Sequence, residues 1–558
     1  MPLGFAAAIA EVSAAGQPFE VVEVKIDGAT QRAFRNAPQN LKQLFDTARG
    51  IDATFIVYED EEWSFNDVMG EVDALAHALV HHYGVRPGDR VGIAMRNLPE
   101  WVISFAAIVS IGAVSVSLNA WWVEDEIAFA IEDSKMSVLI ADAERTDRAE
   151  RPCVRAGVHV LSVRLPEGRT LTTGIERWSD VVERGATMPE VTIGPDMDAT
   201  ILYTSGTTGV PKGAVSTHRA ITQSIMAFTS RAAIDDLRRE DPATPSLYPP
   251  CFILIVPLFH VTGCIPVMMS CFSWHFKLVM MQRWEPERAL QLIEQHRVTA
   301  FVGVPTQSWD LVESPRFGDY DTSSLSSVGG GGAPAPPVLV SRVERSFSRG
   351  RPNLGYGMTE TNAYGPGNSG DDYVAHPTST GLVPTIVMDV QIRDPQGGVL
   401  GVDENGEIFL KSPTMFRGYW GRSHDTAEVL VDGWLRTGDI GRIDGDGYLY
   451  IEDRVKDMIL RGGENIYPAE VEAAIYEHPA VVEAAVFGLP DDRLGEVVAG
   501  AIVVRRGSSL SAAQLHDFLA TRLAAYMMPE RVAFTDEPLP RNAAGKFLKR
   551  EMPARYFA

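Results

Sequence analysis

Strand-like apolar runs alternate with amphipathic helical runs through most of this chain, which is the pattern of an α/β fold. Its 558 residues exceed the roughly 250–300 that a single hydrophobic core can serve, so we expect two or more domains. A turn and strand at residues 445–451 (GDGYLYI) precede the best boundary, at residues 453–456. We therefore predict a large N-terminal domain of sheets flanked by helices, residues 1–453, and a small, mobile α+β domain, residues 454–558.

The segment after this boundary reads as a compact unit of about 100 residues, enough to fold alone. Pro468 opens a predicted helix, because the first helical position does not need an N–H group. Ser511 and Gln514 form a predicted capping box before a second helix. Its apolar positions are Leu515, Phe518, Leu519, Leu523 and Tyr526. The predicted strands are residues 458–460, 481–487 and 497–504, with a loop at residues 462–463.

The charge balance limits the classes of partner. Lys and Arg total 50 against 73 Asp and Glu, a formal net charge of −23. Proteins that bind nucleic acid or anionic membranes in general need basic faces, so we expect no nucleic-acid partner. A local basic pocket for a nucleotide remains compatible with this balance.

The cysteines and the N-terminus indicate the compartment. The four cysteines contain no C-x-x-C pair, which argues against a disulfide scaffold or a zinc site and favours the reducing cytoplasm. The N-terminus has no Lys or Arg before its short apolar run, unlike a secretory signal.

Two apolar stretches, residues 102–118 and 251–274, resemble membrane spans in composition. Gly112 divides the first, and Pro257, His260, Gly263 and Pro266 interrupt the second. A span needs about 20 apolar residues in an unbroken helix. We therefore predict buried core elements and no transmembrane segment, and we leave peripheral membrane contact open.

The strongest local motif is YTSGTTGVPKGAVSTH, residues 203–218, which follows an apolar strand at residues 199–202. Hydroxyl groups, glycines that let the backbone approach closely, and a lysine are the groups that bind phosphates. Pro211 stands where a P-loop requires glycine, so this is a different phosphate loop. The candidate phosphate-binding residues are Thr204, Ser205, Gly206, Thr207, Thr208, Gly209 and Lys212.

This loop resembles the signature of the adenylate-forming superfamily, which includes acyl- and aryl-CoA synthetases, adenylation domains of nonribosomal peptide synthetases, and beetle luciferases. The resemblance is greatest to ligases of the fatty-acyl-CoA and 4-coumarate-CoA type, and it covers roughly residues 50 to 550. Six further segments match in the expected order: GGAP (331–334), NLGYGMTETN (353–362), WLRTGD (434–439), DRVKD (453–457), GGENIYP (462–468) and PRNAAGK (540–546).

The resemblance implies a role for each matching residue. Tyr356 would lie against the adenine, Thr359 would contact the α-phosphate, and Glu360 with Thr204 would hold Mg²⁺. Lys546 would be the adenylation lysine and Lys456 the hinge, and Thr208 and His260 would join Lys546 and Glu360 in catalysis. The remaining expected nucleotide, acyl-pocket or pantetheine contacts are Gly331, Gly332, Ala333, Gly357, Met358, Asp439 (to the ribose), Ile451, Arg454, Gly462 and Gly463.

The implied reaction is AMP-forming ligation of a carboxylic acid to a thiol, with ATP, Mg²⁺ and coenzyme A. An acyl-adenylate forms first, and rotation at Lys456 then removes Lys546 and admits the thiol. A non-catalytic nucleotide-binding relative would have lost Lys546, Glu360 or Asp439, and all three are present. A luciferase-like oxygenase remains open, as does the oligomeric state, with a homodimer as one alternative.

The acid is the least defined part of this prediction. The expected acyl pocket, residues 257–274, 301–306 and 329–333, contains no acidic residue, Lys or Arg, which favours an apolar acyl tail. A medium- or long-chain fatty acid is the first prediction. An aryl (cinnamate- or benzoate-like) acid, a steroid side-chain acid and the loading of a carrier protein are the alternatives. His260 is either a gate beside the reacting carboxylate or a hydrogen-bonded structural histidine.

Overall fold

The computed structural model describes residues 2–26, 28–204, 211–239, 247–332, 335–454, 457–461, 464–491, 493–542 and 546–557, with only the backbone of Asn465. The described strands are, in chain order, β1 Val21–Ile26, β2 Ala29–Phe34, β3 Thr54–Tyr58, β4 Glu61–Ser64, β5 Arg90–Ala94, β6 Val114–Ser117, β7 Val138–Asp142, β8 His159–Val163, β9 Ile175–Arg177, β10 Asp198–Thr204, β11 Lys212–Thr217, β12 Cys251–Leu254, β13 Lys277–Met280, β14 Ala300–Gly303, β15 Ser327–Gly331, β16 Arg351–Gly355, β17 Gly367–Ser369, β18 Ser379–Leu382, β19 Asp389–Arg393, β20 Gly406–Lys411, β21 Gly418–Tyr419, β22 Leu430–Val431, β23 Trp434–Ile443, β24 Tyr448–Arg454, β25 Ile459–Arg461, β26 Glu464–Ile466, β27 Val481–Asp491, β28 Gly495–Val504 and β29 Arg531–Thr535.

The described α-helices are α1 Phe5–Val12, α2 Leu41–Asp46, α3 Phe65–His81, α4 Pro99–Ser110, α5 Glu124–Ser134, α6 Ala143–Ala156, α7 Trp178–Val181, α8 His218–Arg238, α9 Ser270–Trp274, α10 Pro286–His296, α11 Pro305–Glu313, α12 Pro337–Ser346, α13 Gly370–Ala375, α14 Ser423–Val429, α15 Pro468–Tyr476, α16 Ala512–Leu519 and α17 Met552–Phe557. A π-helical turn spans Gly263–Met269, and short 3₁₀ turns span Phe317–Asp319, Thr359–Thr361, Ala525–Met527 and Lys549–Glu551.

Two eight-stranded sheets form the body of the N-terminal domain. Their strand orders are β21-β11-β10-β6-β5-β7-β8-β9 and β17-β16-β15-β14-β12-β13-β3-β4, and the central strands of each run parallel. Near-continuous apolar strands such as β7 and β12 are typical of parallel sheets buried on both faces. This confirms the predicted α/β class.

Both span-like stretches belong to the protein interior. The first forms α4, which begins at Pro99 and is buried along its whole length, followed by the buried strand β6. The second forms β12, the π-helical turn around Pro266, and α9. Among the described residues, no helix combines the length and the apolar character needed to cross a bilayer.

A third sheet, β18-β24-β23-β20-β19, is antiparallel and completes the N-terminal domain. The β1–β2 hairpin is attached beside it by an ion pair between Arg32 and Asp389, 2.8 Å apart. β24 carries the chain out of this sheet and ends at Arg454, so the last strand of the large domain leads directly to the predicted boundary.

The C-terminal segment forms its own sheet, β26-β25-β28-β27 with β29 beside β28, and α15 and α16 share its apolar core. α15 begins at Pro468, and Ser511 and Gln514 form the capping box of α16, as predicted. The predicted extension of α16 to Tyr526 is wrong. The helix ends at Leu519, where the Arg522 N–H donates to the Leu519 carbonyl three residues back and tightens the chain into a turn.

Candidate active site

The carboxyl ends of β12, β14, β15 and β16 meet along one edge of the second eight-stranded sheet. In open α/β sheets, ligands bind in the crevice outside these strand ends. The chain places His260 after β12, Val304 after β14, Gly332 after β15 and Tyr356 after β16. Residues from three separated motifs therefore line one crevice.

The glycine-rich run that looks like a linker in the sequence is a strand at the centre of this edge. A Cβ atom on Gly330 would lie 1.9 Å from the Gly303 carbonyl oxygen, and one on Gly331 would lie 2.5 Å from the Gly355 oxygen. The backbones of the strands on either side of β15 thus lie so close that a residue with a side chain at these two positions would clash with them. Gly331 ends β15 instead of lying in a loop, and Gly332 follows with a positive φ of 87°.

Tyr356, Asp439 and Arg454 form one cluster. The Tyr356 hydroxyl donates to Asp439 Oδ2 over 2.7 Å, and Arg454 Nε lies 3.2 Å from Asp439 Oδ1. Asp439 faces Arg454 across β23 and β24, which explains how two distant motifs meet. Burial, reinforced by the Asp439 charge, raises the pKa of Tyr356, so its hydroxyl stays protonated and remains a donor.

Glu360 is held by a tyrosine that none of the sequence motifs contains. The Tyr419 hydroxyl donates to Glu360 Oε1 over 2.7 Å, and the Phe416 N–H donates to the Glu360 carbonyl over 2.8 Å. Tyr419 also lies beneath Lys212, whose Nζ is 5.3 Å from the ring centre and 2.9 Å from Asp425 Oδ2. One side chain therefore connects the predicted metal carboxylate with the lysine of the phosphate loop.

The short strand β21 explains this arrangement. It pairs with β11, so that Tyr419 lies opposite Ala214, two residues beyond Lys212. On the neighbouring strand β10, the Tyr203 hydroxyl donates to Asp133 Oδ2 over 2.8 Å, and Arg422 pairs with the same carboxylate at 3.1 Å. Both strands that border the phosphate loop are thus fixed by side chains from residues 417–426.

Lys546 of the C-terminal domain lies close enough to His260 to affect its ionisation. Burial and, secondarily, the Lys546 charge lower the pKa of His260 to about 4, so the imidazole is neutral near pH 7. His260 Nδ1 accepts the Thr262 N–H at 3.3 Å, which leaves the proton on Nε2. One imidazole can thus accept a structural bond at Nδ1 and carry a donor N–H at Nε2.

Two contacts attach the C-terminal domain in this position. Asp453 Oδ2 accepts the Ala469 N–H, at the start of α15, over 3.0 Å. Arg505, which follows β28, lies 2.7 Å from Glu313 at the end of α11. Since α11 begins at Pro305 beside the crevice, one short helix joins the predicted acyl pocket to the small C-terminal domain.

The other predicted site residues fall into two groups. Thr204 donates to the Lys212 carbonyl at 3.3 Å, Thr359 starts a 3₁₀ turn, and Met358 and Ile451 pack against the apolar cluster that contains Tyr356. Gly357 admits the Ala363 carbonyl, which would lie 2.2 Å from a Cβ atom. Ser205, Gly206, Thr207, Thr208, Gly209, Ala333, Lys456, Gly462 and Gly463 lie outside the described residues.

Sequence reasoning missed Tyr419 and Asp425. The sequence carries no signal for either residue, because their partners lie more than 50 residues away along the chain.

Comparison with known proteins finds relatives that match both the large and the small domain. The profile of the AMP-binding enzyme family matches residues 45–420, and that of the AMP-binding enzyme C-terminal domain matches residues 470–546. A feruloyl-CoA synthase from Amycolatopsis sp is 36% identical over 511 residues, covering 90% of this chain and 96% of the relative. A long-chain-fatty-acid–CoA ligase from Bacillus subtilis (strain 168) is 33% identical over 534 residues, covering 90% and 92%.

A solved structure shares the overall architecture. ATP-bound MatB from Rhodopseudomonas palustris superposes with a TM-score of 0.80 at 30% sequence identity, covering 93% of this chain and 99% of MatB. The shared architecture therefore extends over both the large and the small domain.

Proposed function

Because this chain belongs to the family of AMP-binding enzymes, we propose that its crevice adenylates a carboxylic acid with a largely apolar body. The protein is an AMP-forming acid–thiol ligase of the acyl-CoA synthetase class, which uses ATP and coenzyme A. We propose below the residues that act in adenylation and in thiol transfer, and the class of acid that is used. The observation that carries it is that the charge of Lys546, from the C-terminal domain, reaches the buried His260 that follows crevice strand β12.

The nucleotide is assigned to the cluster around Tyr356. Asp439 accepts the two ribose hydroxyls, since a carboxylate can accept several hydrogen bonds, and the Tyr356 ring flanks the adenine. Against the lowering effect of burial, the charges of Asp439 and, with a smaller effect, Glu360 raise the pKa of Arg454. Arg454 therefore stays charged between the ribose and phosphate positions.

The triphosphate is assigned to Lys212, Thr204, Thr359 and the loop 205–209. Glu360 and Thr204 offer carboxylate and hydroxyl oxygens, the donors that Mg²⁺ prefers, so the residues fit that ion. When bound, Mg²⁺ would neutralise phosphate charge. The protein's own share is the orientation of Glu360 by Tyr419 and of Lys212 by Asp425.

In the first half-reaction, a carboxylate oxygen of the acid attacks the α-phosphorus of ATP. The new P–O bond forms as the bond to pyrophosphate breaks, which gives the acyl-adenylate. Lys546 offsets the negative charge that builds on the equatorial phosphoryl oxygens, and the His260 Nε2–H orients the attacking carboxylate.

In the second half-reaction, the coenzyme A thiol attacks the acyl carbonyl, loses its proton and releases AMP. Lys546 must leave first, because it occupies the approach to the carboxyl group. We assign the pivot to Lys456 and the loop that then reaches the crevice to Gly462 and Gly463, with domains at residues 1–453 and 454–558. The cytoplasm, which supplies ATP, coenzyme A and reducing conditions for four free cysteines, is the proposed compartment.

For the acid, the crevice lining supports an apolar chain. The segments after β12 and within β14 are rich in Val, Ile, Phe, Met and Gly, and Cys264, Ile265 and Met268 are fully buried there. A medium- or long-chain fatty acid is the first candidate. An aryl or ring acid is the second, and the similarity to a feruloyl-CoA synthase favours it.

The test is acid-dependent exchange of labelled pyrophosphate into ATP, with saturated acids of six to sixteen carbons, cinnamic and benzoic acids, and amino acids. We expect exchange with apolar acids and none with amino acids, followed by thioester formation when coenzyme A is added. Exchange with amino acids alone, or thioester formation with a carrier protein and not coenzyme A, would contradict the proposal.

A further inference from the structure

Asn97 joins the two eight-stranded sheets of the large domain. It lies between β5 of the first sheet and α4, and only 6% of the residue is exposed. Its Nδ2 donates to the Val256 carbonyl over 3.1 Å and to the Met281 carbonyl over 3.3 Å. Its Oδ1 accepts the Leu258 N–H over 2.9 Å. The side-chain amide thus uses both of its protons and its oxygen on backbone groups of the second sheet's segments.

These backbone groups lie just beyond the carboxyl ends of two parallel strands. Val256 follows β12, and Met281 follows β13, its neighbour in the second sheet. Val256, Leu258 and Met281 are all buried, and a buried backbone group without a hydrogen bond is costly. Removal of the Asn97 amide would leave three such groups in need of new partners, which requires the chain to shift.

Two of the three bonds hold the segment that carries His260, residues 256–263, which we call the His260 turn. Val256 and Leu258 are the two neighbours of Pro257 along the chain. The Pro257 carbonyl accepts the His260 N–H over 3.1 Å. Asn97 therefore fixes the backbone on both sides of the residue to which the His260 backbone is bonded.

The His260 turn is closely packed within itself. A Cβ atom on Gly263 would lie 2.3 Å from the Pro257 carbonyl oxygen and 3.1 Å from the Val256 carbonyl oxygen. The Thr262 N–H donates to His260 Nδ1 over 3.3 Å, which ties the imidazole to the same backbone. A close-packed turn passes on a displacement instead of absorbing it, so a shift at Val256 moves the imidazole.

We propose that Asn97 is a positioning residue for the acid: by holding Val256 and Leu258, it sets the place and direction of the His260 imidazole. The Nε2–H of that imidazole then meets the attacking carboxylate. The inference rests on the proposed role of His260 and deepens it. It assigns the orientation of the carboxylate to an amide in the first sheet, across the boundary between the two sheets.

The groups assigned to the nucleotide should be affected less. The Tyr356 hydroxyl bonds to Asp439, and Lys212 pairs with Asp425, so these groups are oriented by other elements. Loss of Asn97 should therefore impair the use of the acid more than the use of ATP. A misplacement of about 1 Å in a reacting group can cost on the order of 100-fold in rate.

The first measurement compares Asn97→Ala with the wild-type protein in pyrophosphate exchange, with decanoic acid and cinnamic acid as the probes. We expect the KM for the acid to rise by about tenfold or more, while the KM for ATP stays within about twofold of the wild-type value. Asn97→Ser keeps a hydroxyl that can retain one partner and should show a smaller rise. It takes the place of Asn97→Ala if thermal melting shows that the alanine variant does not fold.

Asn40→Ala is the matched control. Asn40 is also buried and also joins distant segments, because its Nδ2 donates to the Ile193 carbonyl over 3.0 Å and its Oδ1 accepts the Gln43 N–H over 3.0 Å. Its partners belong neither to the His260 turn nor to β13. Asn40→Ala should leave the KM values for acid and for ATP unchanged.

The second measurement reads the imidazole without any acid. Nitrogen-15 NMR of protein labelled at histidine reports the tautomer of each ring, and His260→Gln identifies the His260 signals. We expect one set of signals with the proton on Nε2 in the wild-type protein and in Asn40→Ala. In Asn97→Ala, the His260 signals should shift or split into two sets.

The two measurements separate this inference from the proposed function. If no acid supports exchange, the proposed function fails, and the His260 signals alone decide the inference. Unchanged His260 signals in Asn97→Ala would overturn it. An equal rise in the KM for acid and for ATP would also overturn it, because that result marks an asparagine that only holds the two sheets together.

Discussion

Tyr419 shows how much of this site depends on one side chain outside the recognised motifs. Its hydroxyl binds Glu360, its ring lies beneath Lys212, and its backbone pairs with the strand that follows the phosphate loop. The two groups expected to act on the triphosphate are therefore oriented by the same residue.

We expect Tyr419→Phe to weaken the Mg²⁺-dependent part of ATP binding by about 10- to 150-fold, because a hydrogen bond to a charged group contributes on the order of 1.5–3 kcal/mol. ATP affinity in excess EDTA should be unchanged, since the phenyl ring still lies beneath Lys212. Isothermal titration calorimetry with ATP, in the absence of the carboxylic acid substrate, measures the ATP affinity with Mg²⁺ and with EDTA.

Tyr450→Phe is the matched control, because it removes another tyrosine–carboxylate bond, 3.0 Å to Asp444, away from the crevice. It should leave both affinities unchanged. Equal loss of ATP affinity with and without Mg²⁺ in Tyr419→Phe would show that the hydroxyl does not act through Glu360.

Among the individual site residues, the sequence predicted those that belong to ordered motifs. It missed those that only tertiary contacts bring to the site. Asp439, Arg454 and Tyr356 were named from their motifs, and the structure brings them together across β16, β23 and β24. Their nucleotide roles remain proposals.

Among the elements, α11 connects the crevice to the mobile domain. It starts at Pro305, directly after β14, and ends at Glu313, which pairs with both Arg342 and Arg505. Because Arg505 belongs to the C-terminal domain, this ion pair exists only while that domain is docked as described. It should therefore favour the arrangement that brings Lys546 to His260.

We expect Arg505→Gln to slow acid-dependent pyrophosphate exchange by about 2- to 5-fold, because partly exposed ion pairs contribute up to about 1 kcal/mol. Thiolysis of supplied acyl-adenylate should not slow, since that step uses the other domain position. Single-turnover assays of each half-reaction give the two rates.

Arg506→Gln changes the exposed neighbouring arginine and should leave both rates unchanged. A parallel loss of exchange and thiolysis in Arg505→Gln would mean that Arg505 stabilises the small domain itself and does not select its position.

Element boundaries were predictable where local chemistry sets them. Pro468 and the Ser511–Gln514 box start helices as expected, because both effects act within one turn. The end of α16 was not predictable from apolar spacing, because Leu523 still packs against the same core from a turn. Likewise, the glycine run of β15 is extended because neighbouring backbones surround it, which local propensity cannot reveal.

For the whole molecule, the α/β class and the large-plus-small organisation followed from length and alternation of apolar patterns. The docked position of the small domain could not be predicted from the sequence. It depends on contacts such as Asp453–Ala469 and Glu313–Arg505, which join distant segments of the chain. In the proposed mechanism these contacts belong to the adenylation arrangement, and the thiol step requires that they break.

The most direct test of this account is to measure both half-reactions in Lys546→Ala. In the docked position the charge of Lys546 acts on His260, and we assign this lysine to adenylation alone. Acid-dependent pyrophosphate exchange should fall by at least about 100-fold, the scale of losing one charge-stabilising group, while thiolysis of supplied acyl-adenylate by coenzyme A proceeds near the wild-type rate. Equal loss of both half-reactions, or exchange that persists without this lysine, would contradict the account.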